Sequence, residues 1–499
     1  MSSSSYLLSI DQGTTGTTIL LVDDFGKIVS KGYQEFTQYY PYPGWVEHDP
    51  EEIWNATQKA ISEVLDNTNI KNNISAIGIA NQRETTVVWD RDTGTPIYPA
   101  IVWQCRRTSD ICADLNAQDG ISEQVKSKTG LVIDPYFSAT KVAWILDNVE
   151  GARDKAKRGN LAFGTIDTWL LWKLTDGEVH KTDYTNASRT LLFNIDTLTW
   201  DDTLLDIFNI SKNILPDVCP SAYNFGNVKV HPLHNIPIAG IAGDQQSALF
   251  GQLCWKPGML KNTYGTGCFL MLNTGTKRIE SQNGLLTTLA CSLNEKPVYA
   301  LEGSVFIAGA AIQWLRDGLR LINSAAETEE IAKSVNDSAG VVVVPAFTGL
   351  GAPYWDADAR GAIFGLTRGT THEHIVRATL ESIAFQSTDV VRSMIDDSEI
   401  CFEQLRVDGG AVANNFLMQF QADLLDMDVE RPIQIETTGL GAAYLAGISS
   451  GVWNNVEELE KYRKIDTVFN PEMNKEHREQ KISDWQTSIQ RLTNVTVGD

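Results

Sequence analysis

The sequence predicts an α/β protein of two lobes with repeated topology, each turning a glycine–threonine loop toward a cleft between them. Three observations carry that expectation. The chain has 499 residues, too many for one small hydrophobic core. Its apolar runs are short and end in Gly, Thr and Asp turns, as the strands of an α/β sheet do. The order of runs, turns and helices in the first half recurs in the second.

Residues 6–10 form an apolar run that meets Asp11-Gln12-Gly13-Thr14-Thr15-Gly16. Residues 19–22 form a second run, and a third begins at Lys27 after the turn signal Asp23-Asp24-Phe25-Gly26. Three strands joined by two tight turns make a meander. Asp49-Pro50-Glu51-Glu52 predicts a helix start, with Asp49 as cap, Pro50 at the first helical position and Glu52 reaching back. Ile53, Ala56, Ala60, Ile61, Val64 and Leu65 then share one apolar face. Residues 77–80 return as a buried strand and deliver Asn81-Gln82-Arg83-Glu84-Thr85-Thr86 at its C-terminal end, where open α/β sheets bind ligands.

The second half repeats this grammar. Residues 238–242 form a strand that ends in Gly243-Asp244-Gln245-Gln246, and Thr263-Tyr264-Gly265-Thr266-Gly267 interrupts two further strand-like runs. Residues 341–344, closed by Pro345, read as a fully buried strand. Residues 405–408 run into Gly409-Gly410-Ala411, with a helix from about Asn414 to Leu425. Gly439-Leu440-Gly441-Ala442-Ala443 opens a helix of small residues. A boundary at residues 245–255 gives expected lobes of 1–250 and 251–499, the second with a helical C-terminal extension and a polar tail.

Composition narrows the function. The apolar fraction of 42% and charged fraction of 21% are those of an ordinary soluble globular protein. Sixty-three acidic against 41 basic residues give a net charge of −22, which repels polyanions and argues against nucleic acid or anionic membrane as partner. Were the protein to bind a nucleotide, itself an anion, the attraction would have to be local, from backbone N–H groups, helix N-termini and a bound Mg²⁺. The seven cysteines (Cys105, Cys112, Cys219, Cys254, Cys268, Cys291, Cys401) form no C-x-x-C, and the seven histidines show no metal-ligand spacing. Buried, reduced thiols in a cytoplasmic protein are the expectation. The polar start Met1-Ser2-Ser3-Ser4-Ser5 lacks the basic and apolar regions of a signal peptide, and no run reaches the length of a membrane span.

No G-x-x-x-x-G-K-[ST] string and no protein-kinase signature occurs. Phosphoryl transfer would therefore need another phosphate cradle, and the turn from Asp11 to Thr15 qualifies. Gly13 lets the backbone approach an anion, the threonine hydroxyls and N–H groups donate to it, and Asp11 can hold a hydrated Mg²⁺. An ordinary hairpin turn with an Asx-type hydrogen bond is the other reading. Gly265-Thr266-Gly267 and Gly409-Gly410 are singly plain turns. Their combination, three glycine turns on strands of two repeating lobes, is what marks them.

Several long stretches carry a resemblance. They include Pro43-Gly44-Trp45-Val46-Glu47-His48-Asp49-Pro50, Ile101-Val102-Trp103-Gln104-Cys105-Arg106-Arg107, Gly240-Ile241-Ala242-Gly243-Asp244-Gln245-Gln246 and Asn262-Thr263-Tyr264-Gly265-Thr266-Gly267-Cys268-Phe269. With Gly361-Ala362-Ile363-Phe364-Gly365-Leu366 and Ala378-Thr379-Leu380-Glu381, they make residues 6–451 resemble the carbohydrate kinases related to hexokinase, the Hsp70 ATPase and actin. Within these the chain is similar to the branch that phosphorylates glycerol. The resemblance implies two ribonuclease-H-like lobes of duplicated topology facing a nucleotide cleft, ATP and glycerol as substrates, Mg²⁺ with the nucleotide, and a homodimer or homotetramer. It implies Asp244 as general base. Arg83, Glu84, Tyr136, Asp244 and Gln245 would bind hydroxyls between the walls Trp103 and Phe269, a suitable inventory for a small triol. Thr14, Thr15 and Gly16 would meet the β- and γ-phosphates, opposite Thr266, Gly309 and Gln313, with Gly410, Ala411 and Asn414 at the adenosine end. The bland readings are a strand-end salt bridge for Arg83 and Glu84, core packing for Trp103 and Phe269, and a helix cap for Asp244. Two departures stand out: Thr18 where many relatives place an arginine, and a 224–237 loop without the Gly-Gly-Thr-Arg string that binds fructose 1,6-bisphosphate in some bacterial relatives. The second implies no inhibition by that effector. His231 and His234 in the same loop read as exposed surface histidines.

Overall fold

Two twisted sheets organise the computed structural model, which describes residues 5–66, 73–356, 358–400 and 402–493. The first sheet has six strands in the order Ala222–Asn227, Pro237–Gly243, Ile74–Asn81, β1 (Tyr6–Gln12), β2 (Gly16–Asp23) and β3 (Ile28–Glu35). The second has seven: Leu286–Leu289, Tyr299–Val305, Cys268–Gly275, Leu260–Tyr264, Gln404–Asp408, Asp428–Pro432 and Ile465–Phe469. Both contain the same unit. Three strands form an antiparallel meander, and two later strands add in parallel beside the first of them. The predicted duplication is therefore present strand for strand.

Period-2 patterning decides what each face of the second sheet sees. Leu260, Tyr264, Leu270, Leu272, Leu301, Val305, Leu405 and Val407 point into the larger core, against the helices His372–Ser398 and Asn415–Leu425. The residues between them are different in kind. Register places Lys261 opposite Met271, Met271 opposite Glu302, and Lys261 beside Arg406. Charges thus line the face turned toward the first lobe.

Some local expectations were not met. Helix α1 (Pro50–Asp66) starts as predicted, with the Glu51 amide donating to Asp49 Oδ1 at 2.8 Å. Glu52 does not reach back to the cap; its carboxylate accepts from the Thr37 amide at 3.1 Å and the Tyr39 hydroxyl at 2.7 Å, which pins the segment after β3. The run at 341–344 does form a strand, Val342–Val344, paired with Ala362–Phe364 in a separate two-stranded ribbon; Val341, Val343 and Val344 are buried as expected, but Val342 is half-buried. The 224–237 loop begins as an edge strand, Ala222–Asn227, antiparallel to Pro237–Gly243 and anchored by buried Phe225. The exposed rings of His231 and His234 stack at 5.6 Å.

The helix Thr437–Ser449 belongs by sequence to the second half yet packs on the first sheet. Leu440, Ala443, Leu445 and Ala446 share a core with Leu7, Leu20, Val22, Ala76 and Ala242. Its small residues make the approach possible: a Cβ on Gly78 would lie 2.0 Å from the Ala442 oxygen, and one on Gly441 would lie 1.9 Å from the Ser247 oxygen. The helix Asp244–Gly251 is its neighbour across the second contact. Six cysteines are buried and unpaired; Cys401, residues 1–4 of the N-terminal reading and the tail from 494 onward lie outside the described residues. Among the described residues no helix is long and apolar enough to cross a membrane.

Candidate active site

The end of β1 and the start of β2 form a tight turn, closed by the Gly13 amide donating to the Gly16 oxygen at 2.9 Å. Gln12 and Gln82 brace it: Gln12 Nε2 donates to the Gly13 oxygen at 2.7 Å, and Gln82 Nε2 to Gln12 Oε1 at 3.1 Å. A Cβ on Gly16 would sit 2.5 Å from the Tyr33 hydroxyl, so this position admits only glycine without a shift of that ring. Thr15 is exposed toward solvent, while the Thr14 hydroxyl accepts from the Trp103 indole N–H at 2.9 Å. That bond ties the expected polyol wall to the expected phosphate turn.

Asp11 is half-buried near the end of β1. Burial, with Asp244 and Glu436 nearby, pushes its carboxyl up to about 8 against the opposing pull of Lys31, which is ion-paired with Glu436. Asp11 thus lies in the field of two further carboxylates, Asp244 and Glu436, which favours a cation nearby. Among the described residues no group of three or more His, Cys, Asp or Glu side chains gathers at ligand spacing. An ion held at Asp11 would have to bring most of its ligands with it, as waters and phosphate oxygens.

The strands Ile74–Asn81 and Pro237–Gly243 run parallel and deliver Arg83, Glu84, Asp244 and Gln245 to one spot. Arg83 is its centre. Its guanidinium grips Glu302 at 2.5 and 2.9 Å, donates to the Tyr136 hydroxyl at 3.3 Å and to Gln246 Oε1 at 3.2 Å, and lies 3.3 Å from Asp244 Oδ1. Its distance to Glu84 is longer, 3.8 Å; the Glu84 carboxylate takes its short contact from Arg189 Nε at 2.6 Å. Arg189 Nη2 also donates to Glu302, at 3.1 Å. Although burial opposes it, Arg189 and Arg83 together hold the Glu302 carboxyl down to about 2. Glu84, by contrast, is pushed up by burial, which Arg189 and Arg83 only partly offset. Its backbone is left-handed (φ 61°), a costly conformation for a non-glycine residue, held by hydroxyl donors from Thr86 and Ser138 to its carbonyl, each at 3.0 Å.

Asp244 is the first residue of its helix rather than the cap, which is Gly243. One oxygen accepts from the Gln245 amide at 2.7 Å. Its side chain remains 29% exposed, the only group of the cluster open to a ligand to that degree among Arg83, Glu84, Arg189 and Glu302. Burial raises its pKa; Arg83, the Gln245 amide and Lys261 pull it back. Trp103 and Tyr136 meet edge to face at 5.6 Å; both are half-buried and pack against the edge of a hydrophobic core. Phe269 is also half-buried, paired across the strands with Thr263.

The second lobe contributes a cleft of about 530 Å³, of a size that holds a small ligand or cofactor. Thr266, Gly309, Gln313, Gly410, Ala411 and Asn414 all line it. Gly409 has a φ of 92°, and a Cβ there would meet the Tyr264 oxygen at 2.4 Å, so the turn brings the two glycine loops into contact. The Asn414 side chain caps its helix, accepting from the Leu417 amide at 3.0 Å and donating to Thr328 at 3.1 Å.

Sequence reasoning missed three charged residues of this site. Glu302 and Lys261 had a visible signal, a lone charge within an apolar strand, in Ala300-Leu301-Glu302-Gly303 and Leu260-Lys261-Asn262. Arg189 had none.

Two duplicated sheets, a braced glycine–threonine turn and a facing cleft are the parts of a sugar-kinase-type phosphotransferase. Residues 6–251 match the N-terminal domain, and residues 260–450 the C-terminal domain, of the FGGY family of carbohydrate kinases. The chain belongs to that family and is an enzyme of its class. It is 59% identical to glycerol kinase 2 of Thermotoga maritima over 97% of this chain and 98% of that protein, and 59% identical to the glycerol kinase of Carboxydothermus hydrogenoformans over the same shares. The crystal structure of Plasmodium falciparum glycerol kinase with ADP superposes with a TM-score of 0.92 at 40% identity, covering 98% of each chain. A xylulose kinase from Lactobacillus acidophilus, 24% identical over 98% of this chain and 99% of that one, shares the fold at a TM-score of 0.88. Phosphoryl transfer from a nucleoside triphosphate brings a divalent cation with the nucleotide.

Proposed function

We propose that this protein is a glycerol kinase, moving the γ-phosphate of ATP to a terminal hydroxyl of glycerol to give sn-glycerol 3-phosphate and ADP. The observation that carries the reading is Asp244: a carboxylate left 29% exposed, 3.3 Å from the buried Arg83, whose guanidinium also reaches the hydroxyl of Tyr136, the ring that packs on Trp103. Arg83, Glu84, Tyr136 and Gln245 bind the hydroxyls, with Phe269 as the third apolar wall. The reacting hydroxyl gives its proton to Asp244 as its oxygen attacks the γ-phosphorus in line, and ADP leaves on the opposite side. Thr14, Thr15, Gly16 and Thr266 hold the phosphates; Gly309, Gln313, Gly410, Ala411 and Asn414 hold the rest of the nucleotide. Asp11 would hold the cation, Mg²⁺, which would supply charge neutralisation on the phosphates. The protein's own part is orientation, exclusion of water as the lobes close, and acceptance of the proton. The same reading places the enzyme in the cytoplasm, as a homodimer or homotetramer that opens glycerol catabolism, with residues 1–250 as the polyol and phosphate-turn lobe and 251–499 as the adenosine lobe.

The test is ADP release with and without glycerol, for the parent and for Asp244→Asn. Turnover should depend on glycerol and fall about 10²–10⁴-fold in the variant, with the melting temperature unchanged. Equal turnover without glycerol points to an ATPase of the same fold and defeats the reading. Turnover with a ketose but not glycerol would keep the kinase and change its substrate.

A further inference from the structure

Lys261 is a charge that the chemistry above does not use. It sits on the strand Leu260–Tyr264, fully buried, on the face turned toward the first lobe. Its ammonium donates to Gln245 Oε1 at 2.7 Å and to Thr263 Oγ1 at 2.8 Å. An ammonium has three donors and no acceptor, so whichever atom of an amide faces it must be the oxygen. The NH₂ end of Gln245 is thereby forced the other way. Among the described residues it donates to no protein group, although Gln245 follows Asp244 directly at the start of its helix. A glutamine in water flips freely between donor and acceptor; this one cannot.

We propose that Lys261 is a positioning residue that locks the Gln245 amide, so that the site presents only N–H donors to a substrate hydroxyl oxygen beside the one Asp244 deprotonates. The assignment rests on the glycerol kinase reading and deepens it. Lys261 and Gln245 come from different lobes of the chain, so the contact also makes the donor's orientation depend on the two lobes being together. The ligand group it selects is an oxygen with lone pairs free, at a fixed place relative to the reacting hydroxyl. An ammonium or other donor-only group at that place is rejected.

The experiment is steady-state kinetics on the full chain with glycerol and ATP varied in turn. Lys261→Met keeps the length and removes the donor; glycerol KM should rise about tenfold, the size of one lost buried hydrogen bond, with ATP KM within about twofold. Gln245→Ala should lose a similar factor, and adding Lys261→Met to it should cost nothing further, because both remove the same contact. Full multiplication of the two effects, or an unchanged glycerol KM in Lys261→Met, overturns the proposal. Should Lys261→Met not fold, Gln245→Glu decides: it still accepts from Lys261 but has no donor left to present, so glycerol KM must rise about tenfold at an unchanged melting temperature. An unchanged KM there also overturns it. A parent enzyme without glycerol-dependent turnover fails at the earlier step and is distinguishable from all of these.

Discussion

Replacing Glu302 by glutamine changes one oxygen to NH₂, and the surroundings make that small change severe. The carboxylate accepts from Arg83 at 2.5 and 2.9 Å and from Arg189 at 3.1 Å, and all three side chains are at most 1% exposed. One carboxylate oxygen accepts from both Arg83 Nη2 and Arg189 Nη2 and the other from Arg83 Nη1, so whichever way a glutamine turns, its NH₂ meets at least one Arg83 N–H, donor against donor. Two guanidinium charges remain in the interior with Glu84 as the one fully buried counter-charge. Breaking a buried pair from one side typically costs about 3–5 kcal/mol. For a chain of this length that corresponds to roughly 3–5 °C in melting temperature. Arg83 should also lose its fixed direction, so kcat/KM for glycerol should fall by about tenfold or more. The acid limb of the rate profile moves in a definite direction. Glu302 raises the Asp244 pKa and Arg83 lowers it; removing the first and freeing the second both shift that limb to lower pH. Calorimetry and a pH series on kcat/KM check all three effects. A variant that melts within a degree of the parent and keeps its kcat/KM would refute the claim that this ion cluster holds the site.

The remaining predictions concern the lobe contact and the cation. Gly441→Ala places a Cβ 1.9 Å from the Ser247 oxygen and must push the helices Thr437–Ser449 and Asp244–Gly251 apart; a loss of about 1–3 kcal/mol by denaturant melting is expected, with lower kcat because Asp244 opens the second helix. Asp11 is held up to about 8 in the free protein, so at pH 7 it is mostly protonated, and a cation at that carboxylate must displace the proton. Titration calorimetry with Mg²⁺ and nucleotide in buffers of different ionisation enthalpy should show proton release at pH 7. The release should fade above pH 8 and be absent in Asp11→Asn.

Much of the architecture was legible because strand ends announce themselves locally. The turns at Gly13, Gly265 and Gly409 each follow a short strand-like run, and in the structure all three stand at strand ends. Arg83, Glu84, Asp244 and Gln245 were each legible at a strand end, but only the family resemblance grouped them; the structure shows that the two strands pair in parallel. What stayed illegible is non-local. Arg189 meets Glu84 from 105 residues away and Glu302 from 113, and no short-range pattern encodes such a meeting. The Glu52 misreading has a similar origin. The local capping pattern was present, but Tyr39 and Thr37, brought in by the fold, were better donors for its carboxylate.

The helix of residues 437–449 has a consequence for how this chain can be cut. Removing everything after residue 251 would strip the cover from Leu7, Leu20, Val22, Ala76, Ala239 and Ala242 and leave an oily wall open to water. The first half is therefore not a module that could be borrowed, swapped or expressed by itself in a clean state. Duplication supplied two similar pieces, but the exchange of this single rod has since welded them into one inheritance.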